Sequence, residues 1–295
     1  MTLTHGRRAL CIAVDDFGLH EGINRAALEL AAAGRVQALG CMVGGPAWPV
    51  GSRALRAAEL ERVDVGLHLD LTEVPLPPVQ ARALGAVVRD SFLGRIDRRV
   101  VRAQIRAQLD AFEQATGGRP AYVDGHQHVH QLPTVRDELL AELGERYGAG
   151  GHRPWLRSTL RPPLPGGRLA FKPWVIELLG ARGLVDACRR QGYAQNRHLL
   201  GVYDFRGGAA RYAELLAVWL RAAGEADLLM CHPSREAPVA DTLIQARQAE
   251  FEVLSGAAFD GLRAAAGIDL QPMSRILQAT KGAPAGTAVS ALSRP

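Results

Sequence analysis

Residues 9–34 read ALCIAVDDFGLHEGINRAALELAAAG and contain one complete strand-and-helix unit. The apolar run Ala9–Val14 is rich in strand-forming residues. Glu21–Ala33 carries apolar residues at helical spacing and is followed by a glycine, a common helix end. Two acids, Asp15 and Asp16, stand where the strand ends. Because strands that alternate with helices build parallel sheets, this stretch predicts an α/β fold.

The same alternation continues along the chain. Further strands are predicted at Val36–Val43, Val63–Leu71, Ala121–His126, Trp155–Leu160, Leu199–Tyr203 and Ala226–Cys231, and further helices at Ala47–Leu60, Arg98–Thr116, Thr134–Tyr147, Trp174–Gln191, Arg211–Ala223 and Thr242–Leu254. Arg161–Lys172 is rich in proline and glycine, which predicts a loop. About seven such units would close into a barrel. An open doubly wound sheet is the alternative, but no Gly-rich dinucleotide or phosphate-loop signature follows a strand. We expect one domain over residues 1–280 and a loose tail, rich in Ala, Gly, Ser and Pro, over residues 281–295.

Composition and charge argue against several classes of protein. The formal charge of +5 and pI of about 9.3 would suit a nucleic-acid partner, but the basic residues are scattered singly, so we expect none. The apolar run after Arg7 and Arg8 is too short for a signal peptide, and no run reaches membrane-spanning length. These features predict a cytoplasmic protein without a membrane span. The four cysteines form no close pair and are expected to be reduced core thiols.

Acid and imidazole groups stand at the ends of four predicted strands. They are Asp15 and Asp16, His68, the run Asp124–His130, and His232. Active sites of parallel α/β folds form at the C-terminal ends of the strands. We therefore expect these groups to meet at the opening of the barrel on that side, which we call the mouth. Adjacent buried carboxylates repel each other, and a divalent cation removes that cost. Nitrogen and oxygen ligands of this mix suit Zn²⁺ and also accept Mg²⁺ or Mn²⁺.

Each of these groups also has a simpler explanation. An acid pair is common in turns and helix caps, His68 could be a hydrogen-bonded core histidine, and His232 could belong to a loop. The run 124–130 is harder to explain in this way. If it is a strand, its acid and alternate imidazoles share one face. Such a polar face would be unfavourable in an apolar core but is well suited to binding a metal ion. The joint occurrence at four strand ends favours a metal site.

Four motifs together resemble those of one family. They read Val14-Asp15-Asp16-Phe17-Gly18-Leu19, Gly66-Leu67-His68-Leu69, Asp124-Gly125-His126-Gln127-His128-Val129-His130 and Cys231-His232-Pro233. In this order they resemble the motif set of the YdjC-like carbohydrate deacetylases, which include chitooligosaccharide deacetylases and a branch linked to hopanoid biosynthesis. The resemblance implies a distorted (β/α) TIM-like barrel of the glycoside hydrolase/deacetylase type.

The resemblance also implies roles for single residues. Asp15 matches the general base, while Asp16, His68 and His126 match the ligands of one divalent metal ion, Mg²⁺ or Zn²⁺. His232 matches a position at the catalytic mouth, with a role as general acid or in substrate positioning.

Further candidates and departures concern the substrate. Asp124, His128 and Trp174 are candidates for substrate binding. This chain has His20 and Gly125 where family members commonly have serine, and Asp70 where many have asparagine. These departures leave the expected ligands intact and bear on the choice of substrate.

The expected reaction is hydrolysis of the acetyl amide of an N-acetylated sugar or oligosaccharide by metal-activated water. A metal-dependent sugar isomerase or epimerase would use similar groups but would release no acetate. A non-catalytic sugar-binding protein is a further alternative, against which Asp15 argues. A glycosidase would instead need two carboxylates flanking a glycosidic bond. A homodimer is one expectation for the assembly.

Overall fold

Eight parallel strands form one curled sheet within residues 7–148, 153–163, 168–236, 238 and 241–282, the part of the chain that the computed structural model describes. The strands are β1 (Arg8–Phe17), β2 (Ala38–Cys41), β3 (Asp64–Leu69), β4 (Tyr122–Gly125), β5 (Trp155–Leu156), β6 (Leu199–Leu200), β7 (Asp227–Cys231) and β8 (Ile268–Leu270). The helices are α1 (Glu21–Ala32), α2 (Trp48–Ala57), α3 (Leu84–Phe92), α4 (Arg98–Thr116), α5 (Pro133–Tyr147), α6 (Arg168–Ile176), α7 (Arg182–Gln191), α8 (Gly208–Ala222), α9 (Ile244–Ser255), α10 (Ala258–Ala265) and α11 (Met273–Gly282).

The order of the strands gives a distorted barrel. The sheet runs β5-β4-β3-β2-β1-β7-β6, and β8 adds to the start of β1. One bridge between Leu156 and Gln195 links the two edges of the sheet, and the Leu199 amide donates to the Leu160 carbonyl at 2.8 Å. The predicted α/β barrel is therefore confirmed, with its closure reduced to a few contacts between residues 156–160 and residues 194–199.

The central strand β1 is buried on both faces. Leu10, Ile12 and Val14 pack into the larger apolar cluster, which includes helix residues, and the alternate residues Cys11 and Ala13 pack into a second cluster. This double burial explains why the strand reads as one continuous apolar run, since neither face meets water. All four cysteines are buried and unpaired, as expected of core thiols.

The long helix α4 has the bounds that the sequence predicts. The Asp97 side chain accepts from the amides of Arg99 and Val100 at its start, and Gly117 ends it in the left-handed conformation. Arg102 and Arg106 reach from α4 to Glu142 of α5, with nitrogen–oxygen distances of 2.7 and 2.9 Å. Local signals were strong here, so the boundaries could be read from the sequence.

Other elements differ from the prediction. The loop prediction for Arg161–Lys172 is wrong from Arg168 onward, because α6 begins there and continues through Pro173. The predicted helix Trp174–Gln191 is broken by a π-helical turn, Glu177–Ala181. Gly180 has φ 129° at this point, and a Cβ there would lie 2.3 Å from the Gln131 carbonyl oxygen. Helices α3, α10 and α11 and strand β8 were not predicted.

No helix in the described ranges is long and apolar enough to cross a membrane. The predicted tail at 281–295 lies outside the described residues, apart from the two that end α11. The single domain over 1–280 stays a prediction.

Candidate metal centre

The two adjacent acids at the end of β1 both point into the barrel mouth. In a regular strand, neighbouring side chains face opposite sides. Here the pairing of β1 with β2 shifts register between Val14 and Phe17, and Asp16 adopts a left-handed φ of 67°. This irregularity turns the strand so that Asp15 and Asp16 are both buried beside the same cavity.

Asp16, His68 and His126 converge at this mouth. The Asp16 Oδ1 lies 3.0 Å from His126 Nδ1 and 3.5 Å from His68 Nε2. One ligand atom from each residue falls within 4.8 Å of the others, so a single ion can reach all three. One carboxylate oxygen and two imidazole nitrogens form a donor set that fits a divalent ion, with positions left open for water and substrate.

The electrostatics of this group favour positive charge. Burial by itself would lower the pKa of both histidines, but the surrounding carboxylates outweigh it. Asp16 raises the pKa of His126 to about 9, and Asp124 with Asp15 raises that of His68 well above its ordinary value. The carboxylates thus create a negative potential at the two imidazoles. The same potential would favour a divalent cation, which would displace the protons from the ring nitrogens on binding.

The second polar atom of each candidate ligand also has a polar neighbour. His68 Nδ1 lies 2.7 Å from Asp124 Oδ1, and Arg247 donates to Asp16 Oδ2 at 2.7 Å. His126 Nε2 lies 2.8 Å from Glu73 Oε2. Such outer contacts orient metal ligands and tune their basicity.

Asp15 belongs to a different pairing. The buried Arg157 guanidinium donates to both of its oxygens at 2.6 Å and lies 2.7 Å from Asp124 Oδ2. Asp15, His68 and Asp124 could also surround an ion by distance alone, but Arg157 already supplies a positive charge there. Burial would raise the pKa of Asp15, yet Arg157 lowers it below its ordinary value, so this carboxylate stays ionised.

His232 lines the same cavity as Asp15 and Asp16. Its Nε2 lies 3.8 Å from Asp15 Oδ2, and its ring packs edge-on against Phe205 at 5.2 Å. Burial lowers the pKa of His232 to about 4, so the ring is neutral near pH 7. The Glu250 carboxylate accepts from the His232 amide at 2.5 Å and from the Tyr203 hydroxyl at 2.7 Å, which anchors this turn.

Asp15, Asp16, His68, His126 and His232 line a cavity of about 720 Å³. Apolar side chains from α6, the π-helical turn, β7 and the intervening loop also line it, namely Val175, Ile176, Leu179, Met230 and Phe205. The volume lies within the range of roughly 300–1,000 Å³ that is usual for small-ligand sites. A lining of apolar side chains with a few convergent polar groups is typical of a site for an organic substrate.

Residues 9–264 match the family described as YdjC-like protein. The chain belongs to this family. The match spans all four motifs, from the first strand to the turn that holds His232.

Two relatives of this YdjC-like chain carry functional names. A Mus musculus protein named carbohydrate deacetylase is 34% identical over 158 residues, covering 48% of this chain and 49% of that protein. An Enterobacter sp. (strain 638) protein named chitooligosaccharide deacetylase is 30% identical over 147 residues, covering 48% of this chain and 57% of that protein. The chain therefore spans about half the length of the curated relatives it matches.

Solved structures share the fold. A protein of Enterococcus faecalis V583, named for cellobiose-phosphate cleavage, superposes with a TM-score of 0.67 over 92% of this chain and 100% of its own, at 20% identity. A peptidoglycan N-acetylglucosamine deacetylase superposes with a TM-score of 0.51 over 92% of this chain and 88% of its own, at 11% identity. At these identities, the likeness shows the barrel fold of this YdjC-like chain and nothing finer.

The third motif of this YdjC-like chain is not a strand throughout. Strand β4 ends at Gly125, and His126–Gln131 form a short 3₁₀ segment in which Gln127 and His128 have φ of 52° and 62°. The prediction that alternate residues of 124–130 share one strand face is therefore wrong. His126 and His128 line the cavity, whereas His130 Nε2 donates to the Arg157 carbonyl at 2.9 Å.

The remaining predicted substrate residues lie apart. Asp124 is fully buried, and its two oxygens face His68 and Arg157, so the structure places it behind the cavity. Trp174 is 42% exposed on α6 and lies 6.0 Å from the Phe171 ring, while its neighbour Val175 lines the cavity.

Three residues near the metal group were missed from the sequence. They are Glu73, Arg157 and Arg247. Arg157 follows β5 directly in the structure, but the sequence predicts a strand through Leu160, so its position at a strand end was not visible in advance. Arg247 lies within helix α9 and Glu73 lies in a loop, and nothing in their local sequence indicates a partner near residue 16 or 126.

Proposed function

We propose that this YdjC-like chain is a carbohydrate deacetylase that hydrolyses the acetyl amide of an N-acetylated sugar with one divalent ion. The observation that carries the proposal is the convergence of Asp16, His68 and His126 beside the ionised Asp15 in a single cavity. The functional names of the relatives support the same reaction.

The ion would be held by Asp16 Oδ1, His68 Nε2 and His126 Nδ1. It would supply Lewis-acid chemistry, lowering the pKa of a water and polarising the acetyl carbonyl. The donor set suits Zn²⁺ and would also accept Mg²⁺ or Mn²⁺.

Proton transfer would fall to Asp15 and His232. Asp15 takes the proton of the attacking water, and Arg157 holds the Asp15 carboxylate in a fixed orientation. His232, 3.8 Å from Asp15, receives this proton and passes it to the leaving nitrogen as the C–N bond breaks. The products are acetic acid and the amino sugar, and transfer of the acid's remaining proton, the second proton of the water, to the free amine gives acetate and the ammonium form of the sugar.

Substrate contacts would come from the cavity wall. His128 faces the cavity and is a candidate for a hydrogen bond to the sugar. Trp174, exposed on the same helix as the cavity residue Val175, would offer a platform to a further sugar unit. Asp124 would act through His68 and Arg157 and would not contact the substrate. We also propose a reducing, cytoplasmic location, which the four free buried thiols support.

The decisive experiment is an acetate-release screen. Stripped protein is supplied separately with Mg²⁺, Zn²⁺, Mn²⁺ and Co²⁺ and offered N-acetylated mono- and oligosaccharides. We expect metal-dependent acetate release with at least one sugar. Turnover of a sugar without acetate release would favour an isomerase or epimerase, and sugar binding without turnover would favour a binding protein.

A further inference from the structure

Glu73 sits on a loop whose backbone is held in place although its side chain reaches solvent. The buried Asp70 carboxylate accepts from the amides of Thr72 at 2.8 Å and Glu73 at 3.1 Å, and also from Val74. Gln108 of α4 in turn binds Asp70, accepting from its amide at 3.0 Å and donating to its carbonyl at 2.6 Å. The turn that follows β3 is thus fixed from the core side.

From this turn, the Glu73 side chain reaches into the mouth of the cavity. Its Oε2 lies 2.8 Å from His126 Nε2, and the side chain is 44% exposed. The other ring nitrogen, Nδ1, faces Asp16 Oδ1 at 3.0 Å. The two nitrogens of one imidazole therefore face two different carboxylates, one inside the metal group and one outside it.

Distance separates the roles of these two carboxylates. Among the described residues, the group whose ligand atoms lie within 4.8 Å of one another contains Asp16, His68 and His126 but not Glu73. His68 shows the same arrangement, with Nε2 toward Asp16 and Nδ1 on Asp124. The difference is burial, because Asp124 is inaccessible and Glu73 lies at the open rim.

We infer that Glu73 is a positioning residue for the metal centre. It holds the His126 ring by Nε2 and so leaves Nδ1 free of a proton and directed at the ion. This role rests on the proposed function, since it requires that a divalent ion bind at Asp16, His68 and His126. A carboxylate behind a ligating histidine raises the basicity of the ring and fixes its tautomer.

The test measures metal binding directly on the full chain. Stripped wild-type protein and the variants Glu73→Ala and Glu73→Gln are titrated with Zn²⁺ by calorimetry, and their Co²⁺ forms are compared by visible absorption. Glu61→Ala is the matched control, because Glu61 is an exposed acid just before the opposite end of the same strand, β3.

We expect Glu73→Ala to weaken Zn²⁺ binding by roughly 10–100-fold, the usual effect of losing an outer partner of a ligand. Glu73→Gln keeps an acceptor oxygen and should recover much of the loss, while Glu61→Ala should bind like the wild type. The Co²⁺ spectrum should stay the same in shape, because the ligands are unchanged. Equal thermal unfolding midpoints of the metal-free proteins would show that the effect is not a general loss of structure.

Three results would overturn the inference. Wild-type affinity in Glu73→Ala would show that the contact does not orient His126. A changed Co²⁺ spectrum in that variant would make Glu73 a direct ligand. If the wild type itself binds no divalent ion, the proposed function fails and this role fails with it, whereas the first two results leave the proposed function intact.

Discussion

Two groups of acid and imidazole side chains meet at His68, and they differ in what balances their negative charge. Asp15 and Asp124 are spanned by the buried Arg157, a cation that belongs to the chain. Asp16 has one oxygen bound by Arg247, and its other oxygen is directed between His68 and His126. Arg157 is therefore a permanent cation on both carboxylates of the first group, whereas Arg247 leaves one oxygen of Asp16 available to an exchangeable cation. Arg157 orients Asp15, the proposed base, and the exchangeable divalent cation would activate the water and the acetyl carbonyl.

The largest effect is expected from removing a ligand of the exchangeable cation. Asp16→Ala should lose metal binding and reduce acetate release roughly a thousandfold or more, since a catalytic ion contributes several kcal/mol to the transition state. Calorimetry and an acetate assay measure the two effects. Asp186→Ala, an exposed acid on α7, serves as the control. A variant at Asp16 that keeps both metal and turnover would remove Asp16 from the centre.

Removing the permanent cation should act on stability. Arg157→Leu leaves Asp15 and Asp124 buried without their charge partner, so the free energy of unfolding should fall by about 3–5 kcal/mol. Urea denaturation measures this. Adding Asp15→Asn to the same chain should restore part of the loss, because one uncompensated charge is removed. If the free energy of unfolding falls by less than about 1 kcal/mol, as for an exposed ion pair, Arg157 is not the charge partner that compensates the buried Asp15 and Asp124.

Changing the proposed base should separate metal binding from catalysis. Asp15→Asn is expected to bind the ion nearly as the wild type does, because Asp15 faces Arg157 and not the metal group. The rate of acetate release should fall roughly a hundredfold or more, the usual contribution of a general base. Near-normal turnover in this variant would assign the base role to another group, with His232 as the nearest candidate.

The smallest effect is expected from an arginine–glutamate pairing between α4 and α5, in which the Glu142 side chain is 3% exposed and its partner Arg106 is 54% exposed. Partial burial acts to raise the pKa of Glu142, but Arg106 and Arg102 outweigh it and lower that pKa. The ionised pair therefore stabilises the fold above the ordinary value of 4.5, and this contribution is lost as the pH falls through the lower folded value.

Glu142→Gln should thus cost about 1 kcal/mol of unfolding free energy at pH 7, and the difference from the wild type should shrink below pH 4.5. Glu145→Gln is the matched control in the same network, with a side chain 65% exposed, and should cost less. A Glu142 effect that does not vary with pH would show that charge is not its cause.

Features that depend on neighbouring residues in the chain were predicted well, and features that depend on distant residues were not. Helix α4 was predicted to the residue because its cap, its apolar spacing and its final glycine are all local. The fold class followed from the strand-and-helix alternation for the same reason. The His126–Gln131 segment was predicted wrongly, because alternating histidines resemble a strand while packing holds Gln127 and His128 in a left-handed backbone. The Gly125 departure has a local explanation, since a Cβ there would lie 2.8 Å from the His130 amide.

The sequence by itself determined the α/β fold class, most of the strands and helices, the family, and the acids and imidazoles that can hold an ion. These properties depend on neighbours within a few residues or on short motifs, which the chain carries in plain form. Only the tertiary structure showed that Arg157 binds Asp15, and it alone brought Glu73 and Arg247 next to the candidate metal ligands. Those pairings join residues that are far apart in the chain, as Asp16 and Arg247 are 231 positions apart, so no local pattern encodes them.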